Sequence, residues 1–195
     1  MRTGMVNRES NETKIKLNLN LDPPRPEVKG TTGIGFFDHM LNAMCFRAGI
    51  AIDMRCCQGD LHVDDHHTVE DLGIVLGMAF IKAIGDKKGI TRFGQSTIPM
   101  DEALANCSLD ISGRGFLVFN ATLPQQQVGT LSTEMVEEFF RAFATKAGIT
   151  LHINLNYGKN VHHMIEAIFK AAGAALKKAI KIEGSDVPST KGILE

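Results

Sequence analysis

The 195-residue sequence predicts an α+β fold built by internal duplication, two half-domains that are each a small sheet with covering helices. Three observations lead there. The first is a repeat: "HMLNAMCFRAGIAIDMRCCQGDLHVDDHHTVEDLGIVLGMAFIKAIG" and "EFFRAFATKAGITLHINLNYGKNVHHMIEAIFKAAGAALKKAIKIEG" carry the same features in the same order. Each has an amphipathic helix, "AGI", an alternating strand, a Gly-containing turn, "HH", a Glu three residues after the second His, and a helix ending in "KAI". The second observation is period-two alternation in the strand segments, and the third is helical spacing between them. A small sheet with one apolar face has to be covered, and the helices of its own half are the available cover.

The elements follow in order. "TKIKLNLNLD" alternates as a strand, with Ile15, Leu17, Leu19 and Leu21 on one face. "PPRPEVKGTTGIG" reads as a Pro/Gly connection. "FFDHMLNAMCFRAG" has helical spacing and stops at Gly49. "IAIDMRCC" is a strand, and a helix runs from about His66 to Ile84. The second half gives "ALANCSLDIS" and "GFLVFNATL" as strands, "STEMVEEFFRAFATKAG" as a helix capped by Ser132 or Thr133, and "ITLHINLNY" as a strand. His162 to Ile182 is the last helix. The chain thus divides into a first half, residues 1–90, a second half, residues 91–184, and a tail, residues 185–195.

Hydrophobic residues make up 44% and charged residues 22%, as in soluble globular proteins. A net charge of −1 disfavours a nucleic acid or an anionic membrane as partner, so basic residues that matter must cluster locally. Cys45, Cys56, Cys57 and Cys107 form no C-x-x-C pair and fit buried thiols in a reducing compartment. "MRTGMVNRESNETKIK" contains no apolar signal region, and "LGIVLGMAFIKAIG" is too short to span a bilayer. A cytoplasmic location is expected.

Five of the seven histidines fall at repeat-related positions: His39, His66, His67, His162 and His163. On a helix, i and i+4 share a face while neighbours point about 100° apart. His66 therefore faces the same way as Glu70, and His162 the same way as Glu166, while His67 and His163 turn elsewhere. Each H-H-x-x-E helix can chelate one ion with its His–Glu pair and lend its other His to a second. Imidazole with carboxylate suits Mn, Fe, Co, Ni or Zn. A single H-H-x-x-E is more often a solvated helix start, and its recurrence in a duplicated unit is what favours metal. His39 and Glu138 each lie nine residues before the Ala of "AGI" and are equivalent. His152, in an alternating strand, is expected to be structural, and His62 has no repeat support. "TTGIGFFD" lacks the third Gly and the adjoining strand of a nucleotide fingerprint and is discounted.

"GFFDHML", "DDHHTVEDLGIVLG", "RFG", "DEALA", "SGRG", "AGITLHI", "HHMIEAIFKA" and "PSTKG" occur in the order seen in the imidazoleglycerol-phosphate dehydratase family of histidine biosynthesis, which the chain resembles from about Arg2 to Gly192. The resemblance implies a duplicated fold like the second domain of ribosomal protein S5. It implies a homo-oligomer, a 24-subunit shell of 432 symmetry, with active sites between subunits and two Mn(II) ions in each. The implied reaction is dehydration of D-erythro-imidazoleglycerol phosphate to imidazole-acetol phosphate, through a metal-bound imidazolate and a diazafulvene-like intermediate. The enzyme would be a monofunctional lyase, with no room in the chain for a fused phosphatase domain.

Carried over by position, His39, His66, His67, Glu70, His162, His163 and Glu166 match metal ligands. Glu12 of "NET" matches a mobile acid and is the candidate base. Arg92, Arg114, Lys170, Ser189 and Lys191 match the phosphate-binding group, with Ser189 and Lys191 expected to order on phosphate. The chain departs from the family pattern in two places. Glu138 stands where many members have His, a weaker ligand assignment, and Arg47 stands where many have His and is given no role. Two other classes remain open: a dinuclear metallohydrolase acting on phosphate esters, and a non-enzymatic metal-binding shell protein. Ketone formation with phosphate retained distinguishes the dehydratase from the hydrolase, and strong binding of an imidazole-bearing phosphate, lost in Lys191→Ala, argues against the storage shell.

Overall fold

The structure, a computed structural model, describes residues 1–192 and Leu194, apart from the side chain of Cys56. The first half contains β1 (Thr3–Glu9), β2 (Thr13–Asn20), β3 (Glu27–Lys29), α1 (Gly35–Ala48), β4 (Ala51–Gly59) and α2 (His66–Ile84). The second half repeats the series as β5 (Phe93–Met100), β6 (Ala103–Asp110), β7 (Phe116–Asn120), α3 (Met135–Ala147), β10 (Thr150–Tyr157) and α4 (Val161–Ala179). A two-stranded ribbon, β8 (Gln127–Val128) with β9 (Leu131–Ser132), is inserted before α3. The sheets have matching orders, β1-β2-β4-β3 and β5-β6-β10-β7, with β3 parallel to β4 and β7 parallel to β10. The expected duplication is therefore visible strand by strand.

The last helix of each half covers its own sheet, α2 on β1 and β2 and α4 on β5 and β6, and the helices also pack across the halves. α1 packs on α4, and α2 packs on α3, so the helical layer is shared across the pseudo-symmetric pair and the apolar core is continuous. Phe37 of α1, Phe139 of α3 and Phe169 of α4 meet in its centre, with Phe139 5.2 Å from Phe37 and 5.5 Å from Phe169. Gly77 and Gly173 allow the close helix crossings. A Cβ at Gly77 would lie 2.8 Å from the Phe143 carbonyl oxygen, and one at Gly173 2.3 Å from that of Met44.

Several elements differ from the sequence expectation. β1 and β5 were not expected. They are edge strands whose alternation is weak because the inward position is a glycine: a Cβ at Gly4 would stand 2.0 Å from the Ala79 carbonyl oxygen, and at Gly94 1.9 Å from that of Ala175. The Pro/Gly connection contains the three-residue β3, short enough to leave no periodicity. β7 ends at Asn120, before Ala121 to Leu123. α4 ends at Ala179; Ile182 instead makes an isolated bridge to Ile90.

Ser132 and Thr133 do not cap α3 with their side chains, because both hydroxyls are taken: Ser132 by Asp65 at 3.1 Å and Thr133 by the Pro124 carbonyl at 2.7 Å. Cys45 and Cys107 are buried thiols whose burial pushes them up to about 12. Cys57 is half-buried, short of the expected full burial, and the expectation for the Cys56 thiol lies outside the described residues. His152 is exposed on β10, consistent with a place on the strand's outward face. No helix among the described residues is long and apolar enough to cross a membrane.

Candidate active site

Packing of α1 on α4 brings His39 to the start of α4. His162 Nε2 is 3.4 Å from Glu166 Oε2, and His39 Nε2 is 3.9 Å from Glu166 Oε1. One donor atom from each of His39, His162 and Glu166 lies within 4.8 Å of the others, the one such three-donor group among the described residues. Ligands about 2.1 Å from an ion stand up to about 4.2 Å apart, so a small side-chain adjustment closes this set around a divalent cation. Two imidazoles with one carboxylate are a donor set for Mn(II) and its neighbours. Phe36 meets the His162 ring edge-on at 4.8 Å and lies tilted 6.4 Å from that of His39.

Glu166 is 7% exposed. Burial alone would raise its carboxyl, but Lys170 at 2.8 Å, with His39 and His162, outweighs burial and lowers it. Lys170, expected in the phosphate group, is thus held at the ligand cluster. The neighbouring cleft, about 340 Å³, is lined by His39, Glu166, Lys170 and Arg47, which puts Arg47 beside the site. A larger surface cleft of about 600 Å³, between β5 and the end of α4, contains none of the candidate ligands.

At the equivalent start of α2, His66 Nε2 stands 3.7 Å from Glu70 Oε2. The repeat mate of His39, Glu138, does not join them. Its Oε2 turns along α3 to Arg141 Nε at 3.5 Å. Asp64 accepts the His66 backbone N–H at 2.9 Å, as expected of an acid at a helix start, whereas Asp65 ties α2 to Ser132 of the other half.

The second histidine of each pair faces a different set of acids. His67 Nδ1 is 2.9 Å from Asp60 Oδ2, and its Nε2 is 3.7 Å from Glu12. The bond between them raises His67 and lowers Asp60. His163 Nδ1 is 2.7 Å from Glu102 Oε2, and its Nε2 is 3.6 Å from Asp101. Backbone N–H groups of Asn160 and Lys159 donate to Glu102 Oε1 at 2.7 and 3.1 Å. The Asn160 amide first, and then His163, bring Glu102 down to about 2, while Glu102 raises His163.

Phe36, Asp60 and Glu102 were missed from sequence. A signal existed for Glu102: it directly precedes the first residue of β6, as Glu12 directly precedes that of β2. The hairpin carrying Glu12 is anchored to α2 by Arg8 and Thr13, both hydrogen-bonded to the buried Asp71.

Arg92, Arg114 and the tail gather elsewhere. Arg92 grips Asp110 with Nε at 2.7 Å and Nη2 at 3.0 Å, and its Nη1 donates to the Pro188 carbonyl at 2.9 Å. Three of its five N–H donors are thus engaged within the chain, leaving one on each Nη for a further acceptor, and Asp110 raises its pKa. Arg114 Nη2 is 3.9 Å from the same Asp110. Ser189 and Lys191 follow Pro188 in a turn, with the Lys191 N–H donating to Ser189 Oγ at 3.2 Å. Arg92 N–H also bonds the carbonyl of Ala179, at the end of α4 opposite His162. Seventeen residues of helix separate His162 from Ala179, about 25 Å at 1.5 Å per residue.

Comparison with known proteins agrees with the geometry. The family model "Imidazoleglycerol-phosphate dehydratase" matches residues 32–176. The chain is 52% identical to the imidazoleglycerol-phosphate dehydratase of Carboxydothermus hydrogenoformans over 194 residues, covering 100% of both chains. It is 54% identical to that of Clostridium botulinum, covering 99% of this chain and 98% of the relative. Among solved structures, the Staphylococcus aureus enzyme superposes with a TM-score of 0.82 at 43% identity, covering 92% of this chain and 99% of that one. The Pyrococcus furiosus enzyme gives 0.81 at 34% identity, covering 97% and 100%. Relatives this similar over the whole length show that the chain belongs to the imidazoleglycerol-phosphate dehydratase family.

Proposed function

We propose that this chain dehydrates D-erythro-imidazoleglycerol phosphate to imidazole-acetol phosphate, a step of L-histidine biosynthesis in the cytoplasm. Beyond family membership, the observation that supports it is the convergence of His39 from one half with His162 and Glu166 from the other. In this reading His39, His162 and Glu166 hold one Mn(II) ion, His66 and Glu70 contribute to a second, and His67 and His163 complete the sets. Other divalent ions fit the same donors. Bound ions would supply Lewis acidity at the imidazole nitrogens, favouring the deprotonated ring.

The remaining work falls to the chain's own groups. Loss of the C3 hydroxyl, assisted by the electron-rich ring, comes first, because no adjacent carbonyl acidifies the C2 proton until the ring is electron-deficient. Glu12, exposed at the β1–β2 hairpin, then takes the C2 proton, and the resulting enol becomes the ketone. Arg92, Arg114, Ser189 and Lys191 hold the phosphate, and Lys170 beside Glu166 adds a positive charge near the ions.

A substrate of this size is shorter than about 10 Å. The arginine group and the His162 cluster stand at opposite ends of α4, about 25 Å apart. One chain cannot span that gap, which supports active sites assembled between subunits, in the 24-subunit shell that the family resemblance implies. On this reading residues 1–90 and 91–184 each bring one H-H-x-x-E helix, and the tail, 185–195, serves the phosphate.

Incubation of the Mn(II)-loaded protein with imidazoleglycerol phosphate should yield a ketone that retains its phosphate. Release of inorganic phosphate without ketone would overturn the proposal in favour of a metallohydrolase.

A further inference from the structure

We infer that Glu102 and Asp60 are positioning residues that fix His163 and His67 in the tautomer whose Nε2 is free for a metal ion, and that Asp60 thereby leaves Glu12 free. The inference rests on the metal reading above and extends it to residues that it does not use.

Glu12 and Glu102 are counterparts, each one residue before the first strand residue of its hairpin partner, each beside the second His of its half. Their engagements differ. Glu102 is fully committed: Oε1 takes the backbone N–H groups of Lys159 and Asn160, and Oε2 takes His163 Nδ1 at 2.7 Å. Glu12 is 3.7 Å from His67 Nε2, beyond a hydrogen bond, and its side chain is 53% exposed. In the first half Asp60, just after β4, occupies His67 Nδ1 at 2.9 Å instead. The corresponding turn after β10, Gly158, Lys159 and Asn160, contains no carboxylate. The second half therefore draws its Nδ1 partner from the hairpin, and the first half does not need to.

A carboxylate only accepts hydrogen bonds, so a neutral imidazole facing one carries its proton on Nδ1. The lone pair then sits on Nε2, the arrangement in which outer carboxylates orient metal-bound histidines. In Glu102→Gln, the single amide oxygen is claimed by the two backbone N–H groups, which leaves the amide NH2 facing Nδ1. Nδ1 must then accept, and the proton moves to Nε2, where the ion would bind. The hydrogen bonds that hold the turn survive.

The test is Mn(II) titration followed by the free-ion electron paramagnetic resonance signal, beside thermal unfolding of the metal-free proteins. Glu102→Gln and Asp60→Asn should each weaken Mn(II) binding by about 10- to 100-fold, with metal-free unfolding midpoints near that of the parent protein. Glu12→Gln should bind Mn(II) as the parent does. Undiminished binding in Glu102→Gln, or a loss in Glu12→Gln equal to that in Asp60→Asn, overturns the inference while leaving the metal reading intact. A parent protein that binds no Mn(II) overturns both.

Discussion

His39 of α1 stands 3.9 Å from Glu166 of α4, so the two halves of the duplication meet at a common carboxylate. Neither half alone assembles the three-donor group, because His39 and the His162–Glu166 pair come from opposite ends of the sequence.

That dependence sets the first prediction. His39→Ala and Glu166→Gln should each lower the Mn(II) bound per chain by about one ion relative to the parent protein, and activity by at least about 100-fold. Elemental analysis of reconstituted protein against subunit concentration checks it; unchanged stoichiometry in both variants would remove the group as a ligand set.

Glu12→Gln removes the proposed base while keeping its volume. Turnover should fall by about 10²- to 10⁴-fold, with substrate affinity near that of the parent. A near-normal kcat assigns the proton transfer to another group.

The roughly 25 Å length of α4 between the His162 and Arg92 clusters predicts complementation. Arg92→Ala and His162→Ala should each be inactive alone. Refolded together, they should regain a sizeable part of the parent activity, since an intact phosphate group on one chain can face intact ligands on another. Mixed assemblies with no activity would argue against shared sites.

Gly94 lies so near the Ala175 carbonyl that an added Cβ would stand 1.9 Å away. Gly94→Ala should lift β5 from α4 and cost about 1–3 kcal/mol, read as a lower urea midpoint. Gly35→Ala is the control, since its Cβ would meet nothing within 4 Å.

Arg2 ties the start of β1 to Asp22 and, through Nη1, to the Ile180 carbonyl at 2.6 Å. The Arg2 hydrogen bond holds Asp22 below its ordinary 3.8. A lowered carboxylate adds stability that is present above the unfolded value and disappears as pH falls through the folded one. The gap between the parent protein and Arg2→Ala should therefore stay constant from neutrality to about pH 4 and narrow below it. Asp22's side chain is 39% exposed, so its ionic part is under about 1 kcal/mol. Urea unfolding across this range provides the measurement.

Legibility followed the range of the forces involved. His66 with Glu70 and His162 with Glu166 were readable because helical spacing alone brings i and i+4 together, and the structure has them at 3.7 and 3.4 Å. The two edge strands were not readable, because Gly4 and Gly94 replace the apolar residue that alternation depends on with the space a helix backbone needs. The capping hydroxyls of Ser132 and Thr133 were claimed by partners distant in sequence, Asp65 and the Pro124 carbonyl, which local cap chemistry cannot register.

The amino-acid sequence by itself determined the duplication, the helices with their paired histidines, and the family pattern, since each is written in local periodicity or recurrent order. Only the tertiary structure decided that α1 crosses to α4 and so brings His39 to Glu166, and that Glu102 holds His163 while Asp60 holds His67. Those pairings depend on how two helical layers interlock and on which side-chain oxygen reaches a ring nitrogen first, and neither is encoded in the spacing of residues along the chain.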